Sequence, residues 1–155
     1  MKLKIKSPSL DKTLQYLKIQ AQESVPQIPF YFNENITTGE QFFNICKSKI
    51  TYTKDTDLAG FGVEYFQTVK TLFEKNNGKG DCDDFTILGL AGLTYLELAD
   101  SLFIVLVGAT KKKPTHIYIE YMDRGTPYTF DLTNPYFNFE RKGKYKFKQL
   151  VRIKL

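Results

Sequence analysis

The spacing of apolar positions changes along this chain, and the change divides it in two. In "SLDKTLQYLKIQAQES", Leu10, Leu14, Leu17 and Ala21 recur on one helical face, with Ser9 ahead of them as an N-cap. Pro26 and Pro29 in "SVPQIPFYFNEN" break that period. "TTGEQFFNICKSKITY" predicts a second helix, offering Phe42, Phe43, Ile45, Cys46 and Ile50 to a core. "GVEYFQTVKTLFEKNN" reads as a third helix that ends toward Asn77 and Gly78. In "DCDDFTILGLAGLTYLELAD", Phe85, Leu88, Ala91 or Gly92, Tyr95 and Leu96 fall at helical spacing. Gly89 and Gly92 lower helix propensity there, which makes sense if another element must approach closely.

Beyond Asp100 the period becomes two. "SLFIVLVGAT" is a continuous apolar run ended by Gly108 and reads as a buried strand. "THIYIEYM" alternates, "DRGTP" turns, and "YTFDLT" alternates again, which is the pattern of a β-hairpin. "KYKFKQLVRIKL" alternates too and predicts a last strand. Helices first and strands last argue an α+β fold with an antiparallel sheet.

Composition narrows the class. A chain of 155 residues is most simply one domain, and 42% hydrophobic with 15% aromatic residues argues against disorder. No apolar run approaches the ~20 residues of a membrane span. "MKLKIKSPSL" has no continuous apolar stretch of the kind a secretory signal needs. Cys46 and Cys82 do not make a disulfide framework, so a reducing compartment is expected. The cytoplasm is the simplest such compartment. The net charge of +5 is uneven: Arg141 to Leu155 is rich in Lys and Arg and has no acidic residue. An anionic partner, nucleic acid included, is one reading of that segment. An edge strand kept soluble by lysines is the plainer one.

The chemistry concentrates in "GKGDCDDFTILGLAGL". "DCDDFT" lacks the ligand frame of an EF-hand, and two Cys with one His are too few for a zinc site. No metal and no cofactor is therefore expected. Cys46, inside an apolar helix, reads as a small buried hydrophobe. Cys82 stands where a helix begins, and the positive end of the dipole favours a thiolate there. Asp81, Asp83 and Asp84 oppose it. A dipole contribution of ~0.3–1 kcal/mol is cancelled by one close carboxylate, so a cation must stand beside the sulfur.

His116 is the single histidine. A four-residue hairpin loop would put it opposite Asp131. A two-residue loop, Arg124 and Gly125, would put it opposite Thr133 with Asp131 one diagonal step away. Both share a face in either case, whereas an odd loop or a bulge would separate them. His116, Tyr118 and Glu120 lie on one side of their strand, and Ile117, Ile119 and Tyr121 on the other. The apolar side packs on the core, and His116 is expected to look from the polar side toward the Cys82 helix. A thiol and an imidazole ordered by a carboxylate form the activated-nucleophile arrangement.

"GKGDCDDFTILGLAGL", "THIYIEYM" and "TFDLTNP", in that order, resemble the transglutaminase-like superfamily of cysteine enzymes, in particular its bacterial and phage peptidases. The resemblance covers roughly residues 40 to 136. It leaves a helical extension over residues 1–39 and a basic strand or tail over 141–155. It implies a papain-like core, with the nucleophile helix packed on an antiparallel sheet. It implies Cys82 as nucleophile, His116 as general base and Asp131 as the group that orients the imidazole. The chain has no Trp, so the tryptophan donor of some animal members is impossible here. The Cys82 backbone N–H is the first oxyanion donor expected, with Gln67 or Tyr52 as the second. The implied activity is thiol-dependent acyl transfer on a peptide or isopeptide amide, with hydrolysis ahead of cross-linking. The competing class is a virion or scaffold component that keeps the fold with its triad idle.

Overall fold

A computed structural model describes residues 2–6, 10–54, 63–110, 113–140 and 145–155, with residues 2–6, 63–65 and 113 described through their backbone alone. The elements in chain order are β1 (Lys2–Lys6), α1 (Leu10–Ser24), a 3-10 turn (Val25–Phe30), α2 (Gly39–Lys49), β2 (Thr51–Tyr52) and β3 (Val63–Gln67). A π-helical turn (Thr71–Lys75), β4 (Lys79–Gly80), α3 (Cys82–Tyr95), β5 (Ser101–Thr110), β6 (Lys113–Asp123), β7 (Thr126–Phe130) and β8 (Phe147–Ile153) follow. The architecture is α+β, with helices packed on an antiparallel sheet.

Each helix has a local cause. On α1, Leu17 and Ala21 are buried, and Leu10 and Leu14 pack against the same core. Its expected cap, Ser9, lies outside the described residues. The two prolines leave only a 3-10 turn, because Pro cannot donate to an α-helical ladder. α2 opens with a capping box: Thr38 accepts from the Gln41 N–H, and the Gln41 side chain accepts from the Thr38 N–H. α3 is apolar all round. Every residue from Asp84 to Leu93 is buried, as expected for a helix at the centre of a fold.

The third predicted helix is a correction. Helix is confined to residues 69–75, two α-helical residues running into a π turn (Thr71–Lys75), while Val63–Gln67 is strand β3. β3 pairs antiparallel with β1, with Lys2 opposite Gln67, so a partner some sixty residues earlier overrides the local pattern. The order of helices first and strands last is thus broken by this two-stranded sheet.

The four-stranded sheet has the order β7-β6-β5-β8, all antiparallel. Its inner face carries Ile117, Ile119 and Tyr121 of β6, Leu102, Ile104 and Leu106 of β5, and Phe130 of β7. α3 lies against this face at a glycine notch. A Cβ on Gly89 would stand 2.6 Å from Ile119 Cδ1, and one on Gly92 would strike the Phe42 ring. The two glycines therefore admit the sheet on one side and α2 on the other. The outer face is not simply polar. Val105, Val107 and Tyr118 are buried there, with Tyr145 packed over them. The C-terminal segment forms edge strand β8, on which exposure alternates from Phe147 to Arg152. Residues 141–144 of the basic stretch lie outside the described residues. Among the described residues, no helix is long and apolar enough to cross a membrane.

Candidate functional site

The start of α3 is a polar construction built around two of the three aspartates. Asp81 is the N-cap, and its Oδ1 accepts from the N–H groups of Asp83 (3.1 Å) and Asp84 (3.5 Å). Asp84, fully buried, returns the bond by accepting from the Asp81 N–H at 3.1 Å. It also accepts from the Gln67 N–H at 2.8 Å and from Gln67 Nε2 at 3.0 Å. Gln67 Nε2 gives its other proton to Lys79 O at 3.0 Å, and Gln67 Oε1 accepts from Asn76 Nδ2. Gln67, expected as an oxyanion donor, therefore has both amide protons committed to holding α3 in place. Tyr52 is exposed beside this turn. Its strand pairs with β4 at Gly80, and its ring lies 6.4 Å from Phe85.

Cys82 is the first residue of α3 and is partly buried against the core. Burial pushes its thiol well above the ordinary range, and the charges of Asp83 and Asp81 push the same way. A hydrogen bond from the Ile117 backbone to the sulfur, at the residue after His116, opposes them. Cys46 lies fully buried in the core, and desolvation raises its thiol too.

The hairpin takes the shorter of the two expected loops. Asp123 pairs with Thr126, leaving Arg124 (φ 49°) and Gly125 (φ 82°) as the turn. Two successive positive φ values make a type I′ turn, whose twist matches that of the strands. The Arg124 N–H donates to Asp100 Oδ2 at 2.6 Å, which ties the turn to the loop before β5. β7 ends at Phe130, and Asp131 then closes an Asx turn: its Oδ1 accepts from the Thr133 N–H at 3.0 Å and the Thr133 hydroxyl at 2.7 Å. Its Oδ2 lies 2.7 Å from His116 Nε2 and 3.3 Å from Asn134 Nδ2. The carboxylate is 6% exposed, so four hydrogen bonds hold it in one orientation in a dry setting.

With Nε2 donating to the carboxylate, Nδ1 keeps the lone pair. His116 shares Tyr118's face, and its ring stacks on Tyr118 (5.6 Å) and Tyr145 (6.3 Å). Together with Asn134, Phe139 and Glu140 these groups line a small recess. The structure therefore brings His116 and Asp131 into contact and puts the Cys82 sulfur against the next residue of the same strand. Among the described residues, no hydrogen bond joins the sulfur to the imidazole. Here the expected orientation differs: α3 packs on the apolar face of β6, and His116 stands on the other.

Sequence reasoning missed the Asp84–Gln67–Asn76 network and the part played by Asn134. The Asp81-x-x-Asp84 spacing is a capping-box signature and was available as a signal. Nothing in the sequence pairs Gln67 with Asp84.

No protein-family model and no curated protein sequence matches the chain. Among solved structures, one described as "a Putative Cysteine Protease from Cytophaga hutchinsonii" superposes with a TM-score of 0.50 at 16% identity. The match covers 79% of this chain but 42% of that one, so the chain spans less than half the length of its neighbour. At this identity the likeness is one of fold: a mixed α+β architecture with helices packed on an antiparallel sheet.

Proposed function

We propose that this chain is a cysteine peptidase or amidase of the transglutaminase-like type, hydrolysing a peptide or isopeptide amide through Cys82, His116 and Asp131. The observation that carries this reading is the 2.7 Å contact between His116 Nε2 and the buried Asp131 carboxylate, next to the strand residue that meets the Cys82 sulfur. A carboxylate held by four hydrogen bonds fixes the ring tautomer and turns Nδ1 into the proton acceptor. The raised thiol means that the resting site holds a protonated sulfur. His116 then removes the proton as the sulfur attacks, a step that requires the sulfur at the start of α3 and the imidazole on the other face of β6 to come within hydrogen-bond distance when substrate binds. The S–C bond forms, the imidazolium protonates the departing amine, and water resolves the thioester with His116 again as base. The Cys82 N–H, which opens α3 ahead of the two N–H groups that Asp81 caps, is the donor available to the oxyanion. Gln67 and Tyr52 take no part in this account. The test is cleavage of a mixed set of fluorogenic peptides and isopeptides by the parent chain and by Cys82→Ala. Cleavage is lost in the variant while its thermal midpoint is unchanged; cleavage that persists removes the claim.

One observation favours a second reading. The thiol is raised and unbonded to the imidazole, which suits a scaffold or virion component that keeps the fold with an idle site. That reading expects no cleavage from the parent chain either. A cross-linking enzyme would consume the same amides but release product only when an amine acceptor is supplied.

A further inference from the structure

Helix α2 touches both halves of the candidate site. Phe42 fills the notch at Gly92 of α3 and stacks on Phe130 at 5.6 Å. Phe43 meets Phe130 edge-on at 5.4 Å and Phe137 at 5.8 Å, the aromatics on either side of the Asp131 turn. One helical turn later on the same face, Lys47 reaches the turn itself: its Nζ donates to the Leu132 carbonyl at 2.8 Å. This is an unusual place for an ammonium. It is partly buried, and among the described residues it forms no ion pair, its hydrogen bond going to a neutral oxygen. Burial lowers its pKa, and the charge of Asp131 opposes that fall. An ordinary solubilising lysine would turn to water, and one serving only the helix dipole would bond carbonyls of its own last turn. Lys47 does neither; it crosses to another element and bonds the peptide next to Asp131.

We propose that Lys47 is a positioning residue that holds the Leu132 carbonyl and thereby fixes the turn presenting Asp131 to His116. The proposal rests on the reading of His116 and Asp131 as base and orienting group. The ammonium supplies a rigid strut from α2, and Phe43 supplies the apolar back-plate. Together they keep Asp131 Oδ2 on His116 Nε2 where strand β7 has already ended. Loss of the strut leaves the Asx turn intact but free to tilt.

The test uses the full chain labelled with nitrogen-15. With one histidine, the ring Nε2 proton is a single assignable signal, and a proton bonded to a buried carboxylate exchanges slowly with water. In Lys47→Met this proton exchanges at least about tenfold faster than in the parent. In Lys47→Arg, which keeps a cationic donor of similar reach, the slow exchange is restored. Lys47→Gln, neutral and too short to reach Leu132, behaves as Lys47→Met and serves if the methionine variant does not fold. Unchanged exchange in Lys47→Met and Lys47→Gln, or no protected Nε2 proton in the parent, overturns the proposal. With peptide substrate, the same substitution lowers kcat by about tenfold to a hundredfold and leaves KM unchanged. The exchange measurement needs no catalysis, so a failure of the peptidase reading is seen separately, in Cys82→Ala.

Discussion

The start of α3 and the β6–β7 hairpin converge on the candidate site, and they are held by opposite means. The hairpin is local. Alternation sets its faces, a two-residue I′ turn sets its register, and His116 finds Asp131 fifteen positions away as a consequence. The α3 terminus is non-local. Its cap depends on Gln67 and Asn76, which arrive on β3 and the turn after it, and β3 itself is paired with β1. The hairpin is thus assembled before any substrate, with His116 and Asp131 already in contact. The thiol end is rigidly placed but electrostatically unprepared, since two aspartates and burial keep the proton on the sulfur. Rigid placement and chemical readiness are separate properties, and here they sit on different elements.

The sharpest way to break the comparison is to remove the non-local end. Asp84→Ala leaves the Gln67 N–H and side-chain amide and the Asp81 N–H without their buried acceptor. We expect a loss of about 3 kcal/mol in urea unfolding, because orphaned buried donors cost far more than the mean hydrogen bond. A loss under about 1 kcal/mol would mean that the network is incidental. The matching change at the local end is smaller. Gly125→Ala places a side chain at φ 82° with open space around it, so only backbone strain acts. We expect a loss of about 1 kcal/mol, with the His116–Asp131 contact retained. Loss of the protected Nε2 proton in that variant would mean that the turn, not the strands, sets the register.

The same contrast explains what was legible in the chain. The hairpin, the continuous strand at Ser101–Thr110 and the β8 alternation were readable because each is a short-range pattern. The glycine notch was readable because Gly89 and Gly92 had no helical reason to be there. In the candidate site, an even-length hairpin loop was enough to put His116 and Asp131 on one face, but which loop forms was left open by the sequence. The strand at Val63–Gln67 was not readable, since its five residues also fit a helical period and only the distant pairing with β1 decides. For the same reason Gln67 looked like a free amide. Its partners, Lys79, Asp84 and Asn76, are recognisable only once the chain has folded. The burial of Tyr118, on the polar side of its strand, was not readable either, because it depends on the chain beyond β7 returning over the outer face to place Tyr145 beside it.

The central claim is that Cys82 and His116 act together, and covalent trapping tests it directly. Intact-mass spectrometry would follow labelling by a peptidyl acyloxymethyl ketone and by iodoacetamide across pH, in the parent and in His116→Ala, with buried Cys46 as internal reference. Burial, Asp83 and Asp81 raise the thiol, so iodoacetamide should label Cys82 appreciably only above the ~8.5 of a free thiol. The peptidyl electrophile, which binds as substrate does, should label Cys82 at neutral pH at least about tenfold faster in the parent than in His116→Ala. Equal rates in the two proteins would contradict the account and leave Cys82 as a capped, idle thiol.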